Sequence, residues 1–302
     1  MNYPIRTDAL TKTFRHTEAL RGVTMEVPEG AVFALAGPNG AGKTTAIKTL
    51  LNIHHPTSGR ADILGMDSRR LGAGQFAKIG YVSENQRLPG WMKAGYFFSY
   101  CKAFYPTWAD ADLAELVRLY ELPLDRTLNT MSKGMRVKAA LASSLAYRPS
   151  LIVLDEPFGG LDVLVREEVI ESLIERTPET TVLLASHDLA EIEGFATHIA
   201  YLNDGRLEFA EEIGRLSDRF REVEITLESP VDWPRDLPAT WLNPEQSAVV
   251  IRFTDSNFDK ERSHADIQRL FPSAREVTFR AVPLRAMMVA LARSAQAHRG
   301  GV

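Results

Sequence analysis

Between Ala36 and Ala46 the chain reads Gly37-Pro-Asn39-Gly40-Ala41-Gly42-Lys43-Thr44-Thr45, three glycines set among small residues and closed by a lysine and two hydroxyls. Lacking Cβ atoms, Gly37, Gly40 and Gly42 let the backbone fold closely around phosphate oxygens. The N–H groups of that loop, with the positive end of a helix expected over Thr44–Leu51, then face the anion. At this spacing Lys43 reaches the β- and γ-phosphates of a nucleoside triphosphate, and the Thr44 hydroxyl is placed to ligate Mg²⁺. Further on, Leu151-Ile-Val-Leu-Asp155-Glu156 is an apolar run ending in two carboxylates. Asp155 suits a Mg²⁺ ligand at a strand end, and Glu156 suits a base taking a proton from an attacking water. His187 closes a third such run, Thr181–Ser186. Two readings stand for it: a hydrogen bond to the γ-phosphate, or a helix-entry histidine beside an N-capping Asp188.

The elements that must position these groups can be read from apolar periodicity. Val32–Ala36, Ile79–Val82, Leu151–Leu154 and Thr181–Ala185 are continuously apolar. Strands buried on both faces need that pattern, which predicts a mainly parallel sheet covered by helices. Leu113, Leu116, Val117 and Tyr120 give Ala109–Leu122 one apolar helical face. Asp204-Gly205 supplies the tight turn of a hairpin over Tyr201–Leu207. After about residue 212 the pattern changes to strict alternation. Val223, Ile225 and Leu227 oppose Glu222, Glu224 and Glu228, and Val277 and Phe279 repeat the motif. Such strands have one wet face and predict an antiparallel sheet. Pro283 then opens a helix carrying Leu284, Met287, Met288 and Leu291.

With 302 residues the chain has room for two domains. Residues 1–215 are expected to form an α/β nucleotide-binding domain with a helical subdomain over about 86–150, and residues 216–302 a small α+β domain. Apolar residues at 45% and charged residues at 25% exclude disordered, collagenous and coiled-coil classes. A net charge of −4 gives no overall basic surplus for nucleic acid. The single cysteine, Cys101, makes neither an internal disulfide nor a thiolate metal site. No signal peptide and no run of 18 apolar residues is evident, so a cytoplasmic protein reaching membranes only through a partner is expected.

These elements, in this order, resemble the nucleotide-binding subunit of ATP-binding cassette (ABC) transporters over roughly residues 5–215. Met131-Ser132-Lys133-Gly134-Met135 looks like the family's signature motif, commonly Leu-Ser-Gly-Gly-Gln. Taken alone, Ser132 is simply the N-cap of a helix running to Leu145. The resemblance implies that Ser132 and Gly134 contact the γ-phosphate held by another copy, so that a head-to-tail dimer, expected to be a homodimer, sandwiches two ATP molecules. It also implies that Gly160-Leu161-Asp162 crosses that interface and that Phe14 stacks on adenine, although an isolated Phe equally suits a core. The nucleotide contacts implied are then Phe14, Gly37, Asn39, Gly40, Ala41, Gly42, Lys43, Thr44, Thr45, Ser132, Gly134 and Asp162, with ATP and Mg²⁺ as the bound groups.

Two departures from the family pattern carry expectations. Lys133 and Met135 stand where Gly and Gln are usual, and Glu84 stands at the usual Gln position after Tyr81-Val-Ser. A carboxylate beside a triphosphate costs Coulomb energy unless a cation offsets it. Glu84 is therefore expected to face Mg²⁺ through water. Eight of the 26 aromatic residues fall between Trp91 and Trp108. Phe97, Tyr100 and Phe104 are spaced as one buried helix face. Pro89, Trp91 and Met92 are expected to dock an integral membrane permease, with burial in the chain's own helical subdomain as the rival reading.

The function implied is the ATPase subunit of a bacterial exporter, peripheral on the inner face of the cell membrane. Two alternatives are a non-transport ABC ATPase acting on nucleic acid or the ribosome, and a low-turnover regulatory module. Residues 211–302, with 13 basic and 14 acidic side chains, have no charge bias toward nucleic acid.

Overall fold

The strands that carry the candidate site all end on one edge of one sheet. The computed structural model describes residues 2–175, 180–234 and 236–291. They fall into two compact units that divide after Ala210.

In the first unit, β1 (Ile5–Phe14), β2 (Thr17–Val27) and β3 (Val32–Ala36) precede α1 (Lys43–Leu50). They are followed by β4 (Ser58–Ile63), β5 (Met66–Asp67), α2 (Ala73–Phe76) and β6 (Ile79–Ser83). Three helices come next: α3 (Ala94–Lys102), α4 (Asp110–Leu119) and α5 (Lys133–Leu145). The unit closes with β7 (Leu151–Asp155), α6 (Val163–Ile174), β8 (Thr181–Ser186), β9 (His198–Asn203) and β10 (Arg206–Glu212), whose last two residues lie past the division after Ala210. A six-stranded sheet runs in the order β10-β9-β3-β8-β7-β6, and a four-stranded sheet in the order β2-β1-β4-β5. Strands β9, β3, β8, β7 and β6 pair in parallel. β10 is joined to β9 by the expected two-residue turn, with Asp204 and Gly205 both at positive φ. Every residue of β3, β7 and β8 is buried, which is why the sequence there is continuously apolar. The apolar core between the sheets includes Leu20, Phe33, Ile47, Leu50, Val153 and Leu183.

The register fixes the site. Ser83 pairs with Asp155, Asp155 with Ala185, and Ala36 with Ser186. The next residue of each strand therefore projects from one edge: Glu84, Glu156, His187 and Gly37. β3 lies between β8 and β9, and such a reversal of strand order leaves a crevice at the carboxyl ends.

In the second unit, α7 (Ile213–Arg219) leads to β11 (Arg221–Leu227), β12 (Trp241–Ser247) and β13 (Val250–Asp255), then to α8 (Lys260–Leu270) and β14 (Ala274–Ala281). A final helix, α9, is described over 284–291. The sheet order is β12-β13-β11-β14, antiparallel throughout. Val223, Ile225, Ile251, Phe253, Ile267 and Phe271 form its core, and Trp241 stacks on Phe253 with centroids 3.9 Å apart. The alternation in β11 is realised as buried Val and Ile against Glu222 and Glu224.

One aromatic expectation is corrected. Phe97 is buried, but Tyr100 and Phe104 are exposed and meet each other edge to face, 5.1 Å between centroids. The buried face of α3 is Ala94, Phe97 and Phe98, an i, i+3, i+4 set, and the helix stops at Lys102 before Phe104 can join it.

Candidate functional site

The phosphate loop is shaped by contacts that only glycine permits. A Cβ on Gly37 would overlap the carbonyl oxygen of Leu202 on β9. Gly42 caps α1 at φ +109°, where a Cβ would lie 2.5 Å from the Ala19 carbonyl oxygen. The loop is thereby wedged between β2 and β9 and delivers Lys43 and Thr44 as the first residues of α1. Ala41 donates its N–H to Pro38 and accepts one from Gly205, while Asn39 and Gly40 form the exposed rim. Thr45 lies one position on, its carbonyl oxygen accepting from the Thr49 hydroxyl.

Around this loop five predicted side chains converge. Lys43 Nζ is buried and donates to the Gly37 and Pro38 carbonyl oxygens at 2.7 and 3.2 Å, with Glu156 Oε1 at 3.1 Å. Glu156 is held at φ +53°, a left-handed conformation costing about 1–2 kcal/mol for a residue with a Cβ. Its other oxygen, Oε2, accepts from His187 Nδ1 at 2.7 Å and from the His187 backbone N–H at 3.3 Å. A carboxylate accepts and does not donate, so Nδ1 carries the ring proton in this bond. The same bond holds the His187 pKa above its ordinary value. Thr44 Oγ1 donates to Asp155 Oδ1 at 2.8 Å. Asp155 is only 3% exposed, and burial pushes its pKa up, opposed by the Thr44 bond.

A buried carboxylate beside a hydroxyl is a hard-oxygen donor set of the kind Mg²⁺ takes, usually completed by waters and substrate phosphates rather than by a full protein cage. Among the described residues no group of three or more His, Cys, Asp and Glu is gathered for a metal. The residues present therefore fit Mg²⁺ bound jointly with phosphate.

Other predicted residues sit apart from this cluster. Ser132 caps α5, its Oγ accepting from Met135 N at 3.2 Å, and Gly134 packs at the start of α6 against Val165. Asp162 caps α6 through Val165 N at 3.0 Å. Phe14 is exposed rather than core, with Lys12 Nζ 4.7 Å from its ring centroid. Glu84 finds a different partner from the one expected. Lys133 Nζ lies 2.7 Å from Glu84 Oε1, so this carboxylate is offset by a cation of its own chain. His187 sits beside Asp188 as the alternative reading expected, since Asp188 caps a 3-10 turn over Leu189–Glu191; its bond to Glu156 comes in addition. Glu191 was missed: it is buried, bonded to Ser186, and its pKa is raised by burial. A Glu in a short helical run carries no local signal of such burial.

The proposed docking residues separate. Met92 is 6% exposed and part of the core, its N–H donating to Pro89 and its carbonyl accepting from Leu128; its docking role is thereby corrected. Trp91 is 71% exposed and approaches Tyr96. Pro89 lines a groove of about 410 Å³ together with Ile53, Phe76, Leu88 and Tyr105. No helix among the described residues is long and apolar enough to cross a membrane.

A family model described as "ABC transporter" matches residues 20–159. The chain is 30% identical over 228 residues to the bacitracin transport ATP-binding protein BcrA of Enterococcus faecalis, covering 74% of this chain and 73% of that protein. It is 33% identical over 216 residues to the sulfate/thiosulfate import ATP-binding protein CysA of Xylella fastidiosa (strain 9a5c), covering 68% of this chain and 62% of that one. Among solved structures, the dimeric structure of MJ0796, a bacterial ABC transporter cassette, aligns with a TM-score of 0.63 and 25% identity, covering 69% of this chain and 98% of that chain.

Proposed function

The chain belongs to the ABC transporter ATP-binding proteins, and from that membership we propose that it is the Mg²⁺-dependent ATPase subunit of a bacterial exporter, acting as a head-to-tail dimer on a separate membrane permease. The observation that carries the catalytic reading is the chain of contacts Lys43–Glu156–His187 beside Thr44–Asp155. Lys43 and the loop N–H groups hold the β- and γ-phosphates, and Phe14 offers its exposed ring to adenine. Thr44 and Asp155 would hold Mg²⁺, which when bound offsets charge on the phosphate oxygens. As phosphate takes the Lys43 ammonium, Glu156 is released to accept the proton of a water attacking the γ-phosphorus. The bond from phosphorus to the bridging oxygen breaks, and ADP leaves with its electron pair. His187 keeps the Glu156 carboxylate aimed through Nδ1–H and, as the imidazolium, donates Nε2–H to the γ-phosphate. Ser132 and Gly134 serve the phosphate of the second copy, and Asp162 caps the helix at the copy interface.

The membrane partner is proposed to dock on the groove at Pro89 and the exposed Trp91, because a large solvent-facing aromatic beside an apolar groove is an anchor that interfaces favour. On this reading the protein lies on the inner face of the membrane, held there by its partner. Export is supported by the likeness to a bacitracin transport subunit, and the likeness to a sulfate import subunit supports the opposite direction. The decisive experiment is purification from detergent-solubilised membranes, followed by reconstitution of whatever membrane protein accompanies it. An integral membrane protein in near-equal amount, with Mg-ATP driving solute out of the nucleotide-facing side, supports export. Movement toward that side reverses the direction, and ribosomes, nucleic acid or no membrane protein overturns the transporter reading.

A further inference from the structure

The two departures from the family pattern meet each other. Glu84 follows β6, Lys133 is the first residue of α5, and 49 positions separate them, yet their charged atoms lie 2.7 Å apart. Each charge is poorly placed alone. A lysine in the first turn opposes the helix dipole, and the first turn of α5 has no acidic residue to offset it. A glutamate at the strand end adds negative charge beside a phosphate site. Paired, they cancel.

The pair is also anchored on both sides. The Glu84 backbone N–H donates to the Asp155 carbonyl oxygen at 3.0 Å, tying it to the strand that carries the Mg²⁺ ligand. Lys133 follows directly on Ser132, the cap of α5. The loop after Glu156 closes around the pair. A Cβ on Gly159 would sit 2.9 Å from the Glu84 carboxyl carbon, and one on Gly160 would sit 3.1 Å from Lys133 Nζ. Both side chains line a cleft of about 490 Å³ that also takes in Asn85, Arg87, Asn129 and Arg136.

We propose that Lys133 is a positioning residue for hydrolysis: through its ion pair with Glu84 it fixes the N-terminus of α5, and with it Ser132, against the Asp155 strand end. This rests on the ATP-hydrolysing reading above and adds to it a residue acting through another, not on phosphate.

The test is a double-mutant cycle on the full chain, reading Mg-ATP hydrolysis and, separately, amide hydrogen exchange of the nucleotide-free protein. Lys133→Met is expected to lower kcat by about three- to tenfold with KM for ATP within about twofold, and Lys133→Arg to retain wild-type turnover. In a Glu84→Gln background, Lys133→Met should cost less than about twofold more, because the partner is already gone. Gly159→Ala, which displaces the Glu84 carboxylate while leaving both charges in the chain, should reproduce the loss. Amides in the first turn of α5 should exchange several-fold faster in Lys133→Met and Gly159→Ala. An equal loss from Lys133→Met in both backgrounds means that Lys133 acts directly on phosphate and overturns the proposal. So does faster exchange with unchanged kcat, or unchanged exchange in every variant. Absence of hydrolysis in the wild type fails the functional reading instead, and the exchange measurement still decides whether the pair ties α5 down.

Discussion

The strand ends of the six-stranded sheet and the aromatic rim from Trp91 to Phe104 satisfy their side chains in opposite ways. At the strand ends, Lys43, Glu156 and His187 are bonded in series, and Thr44 is bonded to Asp155, all within one chain. Along the rim, Trp91, Tyr96, Tyr100 and Phe104 are all exposed, and their rings meet in two pairs, Trp91 with Tyr96 and Tyr100 with Phe104. Charge chemistry needs groups whose geometry is settled before substrate arrives. An interface needs apolar area still open to a partner. Burial thus separates the proposed reacting centre from the proposed docking face, and the two can be broken independently.

The largest effect is expected at Glu156. Glu156→Gln keeps the size and one hydrogen-bond acceptor for His187 but removes the base, and kcat should fall by about 10²–10⁴ with little change in KM. Steady-state hydrolysis by purified protein checks this. Turnover within a few-fold of wild type would mean that the proton leaves by another route.

The opposite break is Trp91→Ala. Loss of a central aromatic anchor costs about 2 kcal/mol or more, roughly thirtyfold in affinity for the membrane partner. Hydrolysis by the isolated subunit should stay within about twofold of wild type. Co-purification yield and hydrolysis measured on the same preparation separate the two regions. A matching loss of both would mean that Trp91 acts on the reacting centre as well as on the partner.

A third test sharpens what the ordering at the strand ends costs. Burial raises the Asp155 pKa, so over the window above its unfolded value of 3.8 the native state binds more protons than the unfolded state, and stability falls as pH rises through that window. Asp155→Asn removes this burden while keeping an acceptor for Thr44. It should raise the melting temperature of metal-free protein near neutral pH, by about 2–4 °C for each kcal/mol recovered, while abolishing Mg²⁺-dependent hydrolysis. Thermal melts with and without Mg-ATP read both halves, and a lower melting temperature would mean that the carboxylate is stabilising where it sits.

The strand ends were far more legible in the sequence than the rim. Continuous apolar runs and the glycine spacing act over a few residues, so β3, β7, β8 and the phosphate loop could be placed before any fold was known. Asp155 followed because it closes such a run. The Glu84–Lys133 pair could not be read, since its members come from separate elements and only the packing of α5 beside β6 joins them. The rim misled for a related reason. Phe97, Tyr100 and Phe104 share a helical spacing, but the end of α3 at Lys102 and the neighbours that cover Phe97 and Phe98 decide which rings are buried. Met92 lies next to Trp91 in sequence and opposite it in environment, and no local pattern distinguishes them.

The smallest effect belongs to His187, and its sign is fixed by the bond to Glu156. A histidine whose folded pKa is raised contributes stability fully below its unfolded value of about 6.5 and loses that contribution as pH climbs through the folded value. The ring is 45% exposed, so solvent screening holds the contribution to a fraction of 1 kcal/mol, of the order of about 0.2–1 for such pairs. The wild type should therefore show a shallow decline in denaturant midpoint as pH rises from about 6.5, and His187→Gln should lack that slope. Hydrolysis should follow the same proton. With Nδ1–H given to Glu156, only the imidazolium keeps an Nε2–H for the γ-phosphate, so turnover should fall over the interval in which stability declines. Turnover that holds or rises while stability declines would show that His187 tunes the fold at this edge and makes no bond to the γ-phosphate.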